Sequence, residues 1–130
     1  MNKITLIDGG LGTELRNRGV EVHSHTTSIW SAQALIDAPE VIENIHYDYI
    51  EAGSEYITIN NYSLTQPILT RAHRQEDLKR LTLKSIDIAR KAITKSQKNI
   101  KLMGSLPPLE TSYRPDLVLS EVFCISSIVR

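Results

Sequence analysis

Three short apolar stretches rich in β-branched residues divide the chain, at residues 3–7, 56–60 and 100–104. A continuous apolar run of this length is typical of a strand that is buried on both faces. Longer segments with helical spacing lie between the runs. The order strand, helix, strand, helix, strand is that of parallel βαβ units, so the pattern predicts an α/β fold built on a parallel sheet.

Two helices are predicted between these strands. The first spans residues 39–52, where Asp37-Ala-Pro-Glu40 offers a capping box and an early proline, and Gly53 predicts its end. The second spans residues 75–96, with acidic residues in its first turn and lysines near its end, as the helix dipole favours. A shorter helix is predicted over residues 30–36. The apolar positions that define the longer helices are Val41, Ile42, Ile45, Tyr49 and Ala52, and then Leu78, Leu81, Ile86, Ile88, Ala89, Ala92 and Ile93.

The number of strands is small for the predicted fold. An open doubly wound sheet has about five or six strands, and a closed (β/α)8 barrel takes ~250 residues. A parallel sheet of three strands would leave both edges unpaired and much of the helix surface uncovered. The sequence therefore predicts about half of a larger architecture, or a chain that needs a partner chain to complete one.

Composition narrows the class of protein further. The 130 residues predict a single domain over residues 1–130, and equal numbers of basic and acidic residues, 15 each, give no basic field for nucleic acid. The single cysteine, Cys124, cannot form an internal disulfide or a Cys-rich zinc site, so a reducing compartment is expected. No signal-peptide core and no apolar run of ~18 residues is present, which predicts a cytoplasmic protein without a membrane partner.

A glycine-rich turn follows the first predicted strand, in the sequence Asp8-Gly9-Gly10-Leu11-Gly12. Three glycines in four positions allow a sharp turn and a close approach of backbone N–H groups to a small ligand. Asp8, at the carboxyl end of the strand, is placed to meet an ammonium or hydroxyl group. A tight turn without a ligand explains the glycines equally well. A phosphate site is a weaker alternative, because the motif lacks the P-loop ending and the dinucleotide-loop spacing.

Polar residues also follow the second predicted strand, in the sequence Thr58-Ile59-Asn60-Asn61-Tyr62. Two amides and a phenol at a strand end can orient a polar substrate, although Asx turns are the commoner role of single asparagines there. The loop after the third strand is stiffened by two prolines, and most of its polar side chains are expected in solvent; they include Glu110, Tyr113 and Arg114.

The four histidines give no clear chemical signal. His23 and His25 lie in a Ser/Thr-rich segment, and a metal site needs a third or fourth ligand, so they are expected to be exposed rather than metal-binding. His46 and His73 have no evident nucleophile as a partner. The sequence therefore predicts no metal site and leaves the catalytic residues unknown.

Taken together and in order, these segments resemble the homocysteine S-methyltransferase family. The resemblance runs from residue 4 to about residue 120. Each piece is weak alone, but their succession with short spacers is specific. The pieces are residues 7–15, 30–35 and 39–42, then His46, Asp48 and Tyr49, residues 52–54 leading to 58–62, and residues 104–109.

The resemblance implies a (β/α)8 TIM barrel, of which this chain would hold about three N-terminal βα units of eight. It also implies zinc as the cofactor and transfer of a methyl group from a small donor to the sulfur of homocysteine, giving methionine. By the same resemblance, Asp8, Gly9 and Gly10 would line the pocket for the amino-acid part of homocysteine. Thr58, Asn60, Asn61 and Tyr62 would form the adjacent wall.

Three features depart from the family pattern. Ile59 stands where a second threonine is common, which puts a substrate contact there in doubt. The family's zinc ligands are cysteines of its C-terminal half, and Cys124 does not match them, so the zinc ligands are expected to be absent from this chain. The segment 121–130 is an atypical, mostly apolar tail. Glu110 is not given the role of the family's substrate-binding acid.

These departures leave more than one function open. The chain is expected to be inactive alone as an S-methyltransferase and to need an oligomer or a complementing chain. The alternative is a non-catalytic truncated fragment, or a half-barrel binding module for homocysteine or methionine. A different α/β enzyme with an anion-binding loop is a third, weaker hypothesis. The methyl donor is not specified by the sequence.

Overall fold

The computed structural model describes residues 4–24, 28–108 and 116. Within them the fold is mixed α/β with two parallel strands, and helices precede and separate the strands. In chain order the elements are α1 (Leu11–Asn17), a 3-10 turn (Trp30–Gln33), α2 (Ala34–Asp37), α3 (Pro39–Glu51), β1 (Tyr56–Thr58), α4 (Gln66–Arg71), a second 3-10 turn (Gln75–Asp77), α5 (Leu78–Ser96) and β2 (Lys101–Met103).

The two strands pair in parallel, with Tyr56 opposite Lys101 and Thr58 opposite Met103. Their connection contains α4 and α5, as a βαβ unit requires. The predicted second and third strands are thus confirmed in place, although each is shorter than predicted. The polar sequence that follows Thr58 begins where β1 ends.

The prediction of a buried strand over residues 3–7 is largely wrong for the described residues 4–7. Only Ile7 forms a parallel bridge, to Tyr56, while the carbonyl of Leu6 accepts a hydrogen bond of 2.9 Å from the Glu55 amide. Ile4, Leu6 and Ile7 are 82, 52 and 62% exposed, so this segment is not buried. The physical reason is that, in the described part of the chain, β1 is the only strand that pairs with this segment.

Among the described residues, the core consists of two apolar clusters. One lies between the sheet and the helices α3 and α5, and includes Ile50, Ile57 and Ala89. The other joins α1, the turn before α2, and helices α3 to α5. The predicted apolar stripe of α5 is confirmed, because Leu81, Ile88, Ala89 and Ala92 are buried. The larger cluster comprises Leu15, Ile29, Ala32, Ala34, Leu35, Ile42, Ile45, Leu64, Ile68, Leu69, Leu81 and Ile88.

The ends of α3 agree with the sequence signals only in part. Pro39 occupies the first turn, and Gly53 follows the helix with φ of +108°, as a helix-terminating glycine should. The predicted capping box is wrong, because Ala38 is the N-cap and no side chain caps the helix. The Asp37 carboxylate instead accepts a hydrogen bond of 2.8 Å from the Gln33 side-chain amide. Ala52, predicted on the apolar face, is exposed.

The apolar spacing of the sequence does not predict the two short helices α1 and α4. Helix α4 has six residues, and the side chain of its N-cap residue, Thr65, accepts a hydrogen bond from the Ile68 amide at 3.4 Å. The predicted helix over residues 30–36 consists of the first 3-10 turn and α2. No helix of the described ranges is both long and apolar enough to cross a membrane.

His46 is a buried polar residue on the inner face of α3. It is 1% exposed, and neither of its ring nitrogens has a hydrogen-bond partner among the described residues. Burial lowers the pKa of His46 from 6.5 to about 4, because the protonated ring would lose its hydration. The folded protein therefore holds this imidazole neutral at physiological pH.

We expect this histidine to make the protein less stable in mild acid. Between about pH 6.5 and about pH 4 the unfolded chain binds a proton at His46 that the folded chain does not. The free energy of unfolding should therefore fall as the pH is lowered through that window, by about 3 kcal/mol in all from this residue. Urea denaturation at a series of pH values measures this.

The matched variants are His46→Leu, which removes the buried imidazole, and His23→Gln, which replaces a histidine whose side chain is 48% exposed. His46→Leu should flatten the pH dependence between pH 6.5 and 4, whereas His23→Gln should leave it close to that of the wild type. An equally steep loss of stability in His46→Leu would contradict the assignment.

Candidate functional site

Asp8 and Thr58, two of the predicted site residues, are in direct contact. The Asp8 carboxylate accepts one hydrogen bond from the Thr58 amide, at 2.7 Å, and another from the Thr58 hydroxyl, at 2.8 Å. An ionised carboxylate can accept about four hydrogen bonds, so two further positions remain for a ligand. The half-buried Asp8 is therefore fixed at the end of β1 with capacity to bind a cation.

The glycines after Asp8 allow aromatic rings to approach the backbone. A Cβ atom on Gly9 would lie 2.6 Å from the Tyr49 hydroxyl, and one on Gly12 would lie 3.2 Å from the Trp30 ring. Gly9 and Gly12 are not required for a positive φ, because in the described ranges the glycines with positive φ are Gly19 and Gly53. Close packing thus explains Gly9 and Gly12. Gly10, with φ of −73°, is the N-cap of α1.

Asn60 is buried and engaged with the chain itself. Its side-chain oxygen accepts a hydrogen bond from the Ser31 hydroxyl at 3.0 Å, and its amide nitrogen donates to the Ser31 carbonyl at 2.8 Å. Asn60 is 4% exposed. These contacts attach the end of β1 to the 3-10 turn at Trp30–Gln33, so Asn60 shapes the wall of the site from behind.

Asn61 connects the ends of the two strands. Its amide donates to the Ser105 carbonyl at 3.0 Å, and its side-chain oxygen accepts from the Ser105 amide at 2.8 Å. The asparagine side chain thus pairs with the backbone after β2 much as a neighbouring strand would. The predicted polar loop after the third strand therefore touches the site through its backbone at Ser105. Glu110, Tyr113 and Arg114 lie outside the described residues.

Tyr62 and Trp30 form an aromatic pair beside the glycine turn. Their ring centroids are 5.7 Å apart and the rings are inclined by 70°, which is an edge-to-face arrangement. Tyr62 is 36% exposed, so it presents part of its ring to solvent. The Trp30 ring lies against Gly12 and carries this aromatic surface to the start of α1.

The end of α1 and helix α3 are joined by a set of charged residues. The Arg18 guanidinium lies 2.7 Å from the Asp48 carboxylate and 3.6 Å from that of Glu14. Tyr49 follows Asp48 on α3. Burial, and then the negative charges of Glu14 and Asp8, raise the pKa of Tyr49, and Arg18 partly opposes this effect. The Tyr49 phenol also lies against the turn at Gly9, the residue directly after Asp8.

The described residues do not fit a zinc site. No group of three or more His, Cys, Asp or Glu side chains in this part of the chain could hold a metal ion. His23 is on the surface, with its Nδ1 3.2 Å from a carboxylate oxygen of Glu21. His25, Cys124 and the predicted tail 121–130 lie outside the described ranges.

The arrangement of the fold and the site defines a class of protein. It is an α/β chain with parallel strands, whose strand ends gather an oriented carboxylate, two glycines and polar side chains, as ligand sites of such folds do. A family model described as homocysteine S-methyltransferase matches residues 5–124, and the chain belongs to that family. The resemblance inferred from the sequence is thus confirmed.

Related homocysteine and selenocysteine methyltransferases align with most of this chain. Homocysteine S-methyltransferase 2 of Arabidopsis thaliana is 31% identical over 118 residues, which are 90% of this chain and 34% of that protein. Homocysteine S-methyltransferase 4 of Zea mays is 35% identical over 88 residues, 67% of this chain and 25% of that protein. The selenocysteine Se-methyltransferase of Brassica oleracea var. italica is 36% identical over 85 residues, 65% of this chain and 24% of that protein.

The structural match extends over nearly the whole chain. The metallated form of the homocysteine methyltransferase MmuM from Escherichia coli superposes with a TM-score of 0.73 and 26% identity, covering 98% of this chain and 50% of that one. The chain therefore spans half of that structure and between about a quarter and a third of the curated relatives' length.

Replacing Asn60 should cost more stability than its size suggests. Asn60→Ala removes two buried hydrogen bonds and leaves the Ser31 hydroxyl and carbonyl without them. We expect a loss of about 2 to 3 kcal/mol in the free energy of unfolding. Asn17→Ala, which removes an exposed bond to Glu14, is the control and should cost less than about 0.5 kcal/mol. Equal effects of the two substitutions in urea denaturation would show that Asn60 is not a structural anchor.

Proposed function

We propose that this chain binds the amino-acid part of homocysteine and serves the transfer of a methyl group to its sulfur. This proposal depends mainly on the Asp8 carboxylate. Thr58 holds it by two hydrogen bonds at the end of β1, and further acceptor positions of the carboxylate stay open. Membership of the homocysteine S-methyltransferase family supports an amino acid as the ligand class. A charge-assisted hydrogen bond from an ammonium group is the strong contact that such a carboxylate can make.

The remaining predicted residues receive distinct roles in this proposal. Gly10 leaves its side of the turn free of a side chain, so that a substrate can approach the backbone, whereas Gly9 makes room for the Tyr49 ring next to Asp8. Asn60 and Asn61 hold the wall formed by residues 58–62 in place through Ser31 and Ser105. Tyr62 offers a partly exposed ring along the same wall.

We propose further that the fold is part of a (β/α)8 barrel, with about three of its eight βα units in this chain. The two parallel strands, the bridge at Ile7 and the match to half of the Escherichia coli enzyme support this. Ligands bind at the carboxyl ends of barrel strands, where Asp8 and residues 58–62 lie. The exposed residues 4–7 are where a further strand, from a complementing chain or a second copy, would pair.

Methyl transfer to sulfur requires the thiolate, because it is the thiolate that acts as the nucleophile on the donor methyl carbon. Zinc supplies that activation where it is bound, by lowering the thiol pKa. The described residues contain no ligand set for it, so we assign to them substrate binding and not sulfur activation. Binding of homocysteine or methionine without turnover is accordingly the expected behaviour of this chain alone. The small methyl donor stays unassigned.

Asp8→Asn should weaken homocysteine binding about 10- to 100-fold, because it removes the charge that the substrate ammonium meets while keeping the shape of the side chain. Calorimetric titration of the purified chain measures the effect. Asp87→Asn, which changes a carboxylate on the surface of α5, is the matched control and should bind as the wild type does.

Thr58 provides a second, graded test of the same site. Thr58→Val removes the hydroxyl that donates to Asp8 but keeps the backbone amide bond, so a smaller loss of affinity is expected, about 3- to 10-fold. Thr58→Ser keeps the hydroxyl and should retain most of the affinity. Unchanged binding in both Asp8→Asn and Thr58→Val would remove this carboxylate from the substrate site.

The catalytic part of the proposal is tested by assaying the purified 130-residue chain. We expect heat of binding with homocysteine and no methionine formation when S-methylmethionine, S-adenosylmethionine, betaine or methylfolate is supplied. Methylation that a chelator abolishes, together with one zinc per chain, would contradict the assignment of substrate binding alone.

A further inference from the structure

We propose that Tyr49 is a positioning residue of the site, whose phenol fixes the turn at Gly9 and thereby the direction of the Asp8 carboxylate. The inference deepens the proposed function and rests on it where substrate affinity is concerned. Tyr49 comes from the middle of the chain, on α3, and reaches the glycine turn across the fold. Neither its position in the sequence nor its helical spacing indicates this contact.

Tyr49 lies so close to Gly9 that a side chain on residue 9 would collide with it. Measured from the position that a Cβ on Gly9 would take, the Tyr49 oxygen is at 2.6 Å and two ring carbons are at 3.1 Å. The phenol therefore fills the space beside Gly9. Asp8 precedes this residue directly, so a movement of the turn would move the carboxylate that Thr58 holds.

The Tyr49 side chain has its own support from neighbouring helices. Arg18, which follows α1, contacts Asp48 of α3 at 2.7 Å, and this contact fixes the helix that carries Tyr49 against the helix that follows the glycine turn. Burial, and then the charges of Glu14 and Asp8, raise the pKa of Tyr49, so the phenol stays protonated and neutral. A neutral phenol adds no further negative charge to this region.

The first experiment needs no ligand. The Thr58 amide donates to the Asp8 carboxylate, so its 1H–15N resonance reports the position of that carboxylate. Gly9→Ala should shift this resonance, because the new methyl group meets the Tyr49 oxygen. The double variant Gly9→Ala/Tyr49→Phe should return it towards the wild-type position, because the methyl group can then occupy the space that the oxygen leaves.

The second experiment measures homocysteine affinity and stability in the same variants. Tyr49→Phe should weaken binding about fivefold with little change in the urea midpoint, since the ring stays and only the oxygen against Gly9 is lost. Gly9→Ala should weaken it about 10-fold or more, and the double variant should bind better than Gly9→Ala alone. Tyr47→Phe, on the same helix but against Lys95, is the control and should bind as the wild type does.

The two experiments separate this proposal from the function on which it rests. If the wild type binds no homocysteine, the proposed function fails, while the Thr58 resonance still decides the role of Tyr49. Recovery of that resonance in the double variant supports the positioning role. A resonance that Gly9→Ala does not shift, or a shift that Tyr49→Phe does not relieve, overturns it.

Discussion

The hydrogen bonds between Asp8 and Thr58 are the contact on which the rest of the site depends. They join residues 50 positions apart and orient the carboxylate at the point where β1 ends. The segment before Asp8 has little else to hold it, since Ile4, Leu6 and Ile7 are exposed and pair only along one edge in the described part of the chain. The hydrogen bonds of the Asp8 side chain therefore help to hold this segment in place, as the pairing of a buried strand would otherwise do.

Around that contact, side chains from segments distant in sequence stabilise a sheet that has only two strands in the described part of the chain. Asn60 and Asn61 satisfy backbone and side-chain groups at Ser31 and Ser105, and so connect both strand ends to the loops beside them. Tyr49 and Trp30 pack directly on glycine backbone. The site is thus shaped by polar anchors and by aromatic rings that need glycine opposite them, and each of these constraints limits what can be substituted there.

The sequence predicts the two long helices well, because their signals are local. Pro39, Gly53 and the apolar stripe of α5 define long helices without reference to the rest of the fold. Local signals fail where a distant partner decides. Asp37 is a local exception, since it bonds to Gln33, four residues earlier, rather than capping α3. Burial of residues 4–7 depends on what lies beside them. Likewise, nothing near Asn60 indicates Ser31, and nothing near Gly9 indicates the ring of Tyr49.

Trp30 gives this corner of the molecule an optical signal of its own. It is the single tryptophan of the chain, and it lies against Gly12 with its ring edge-to-face with Tyr62. Indole emission responds to the polarity and the motion of its immediate surroundings. The tryptophan fluorescence of this protein therefore arises beside the substrate pocket that we propose, and reports on that region without any added label.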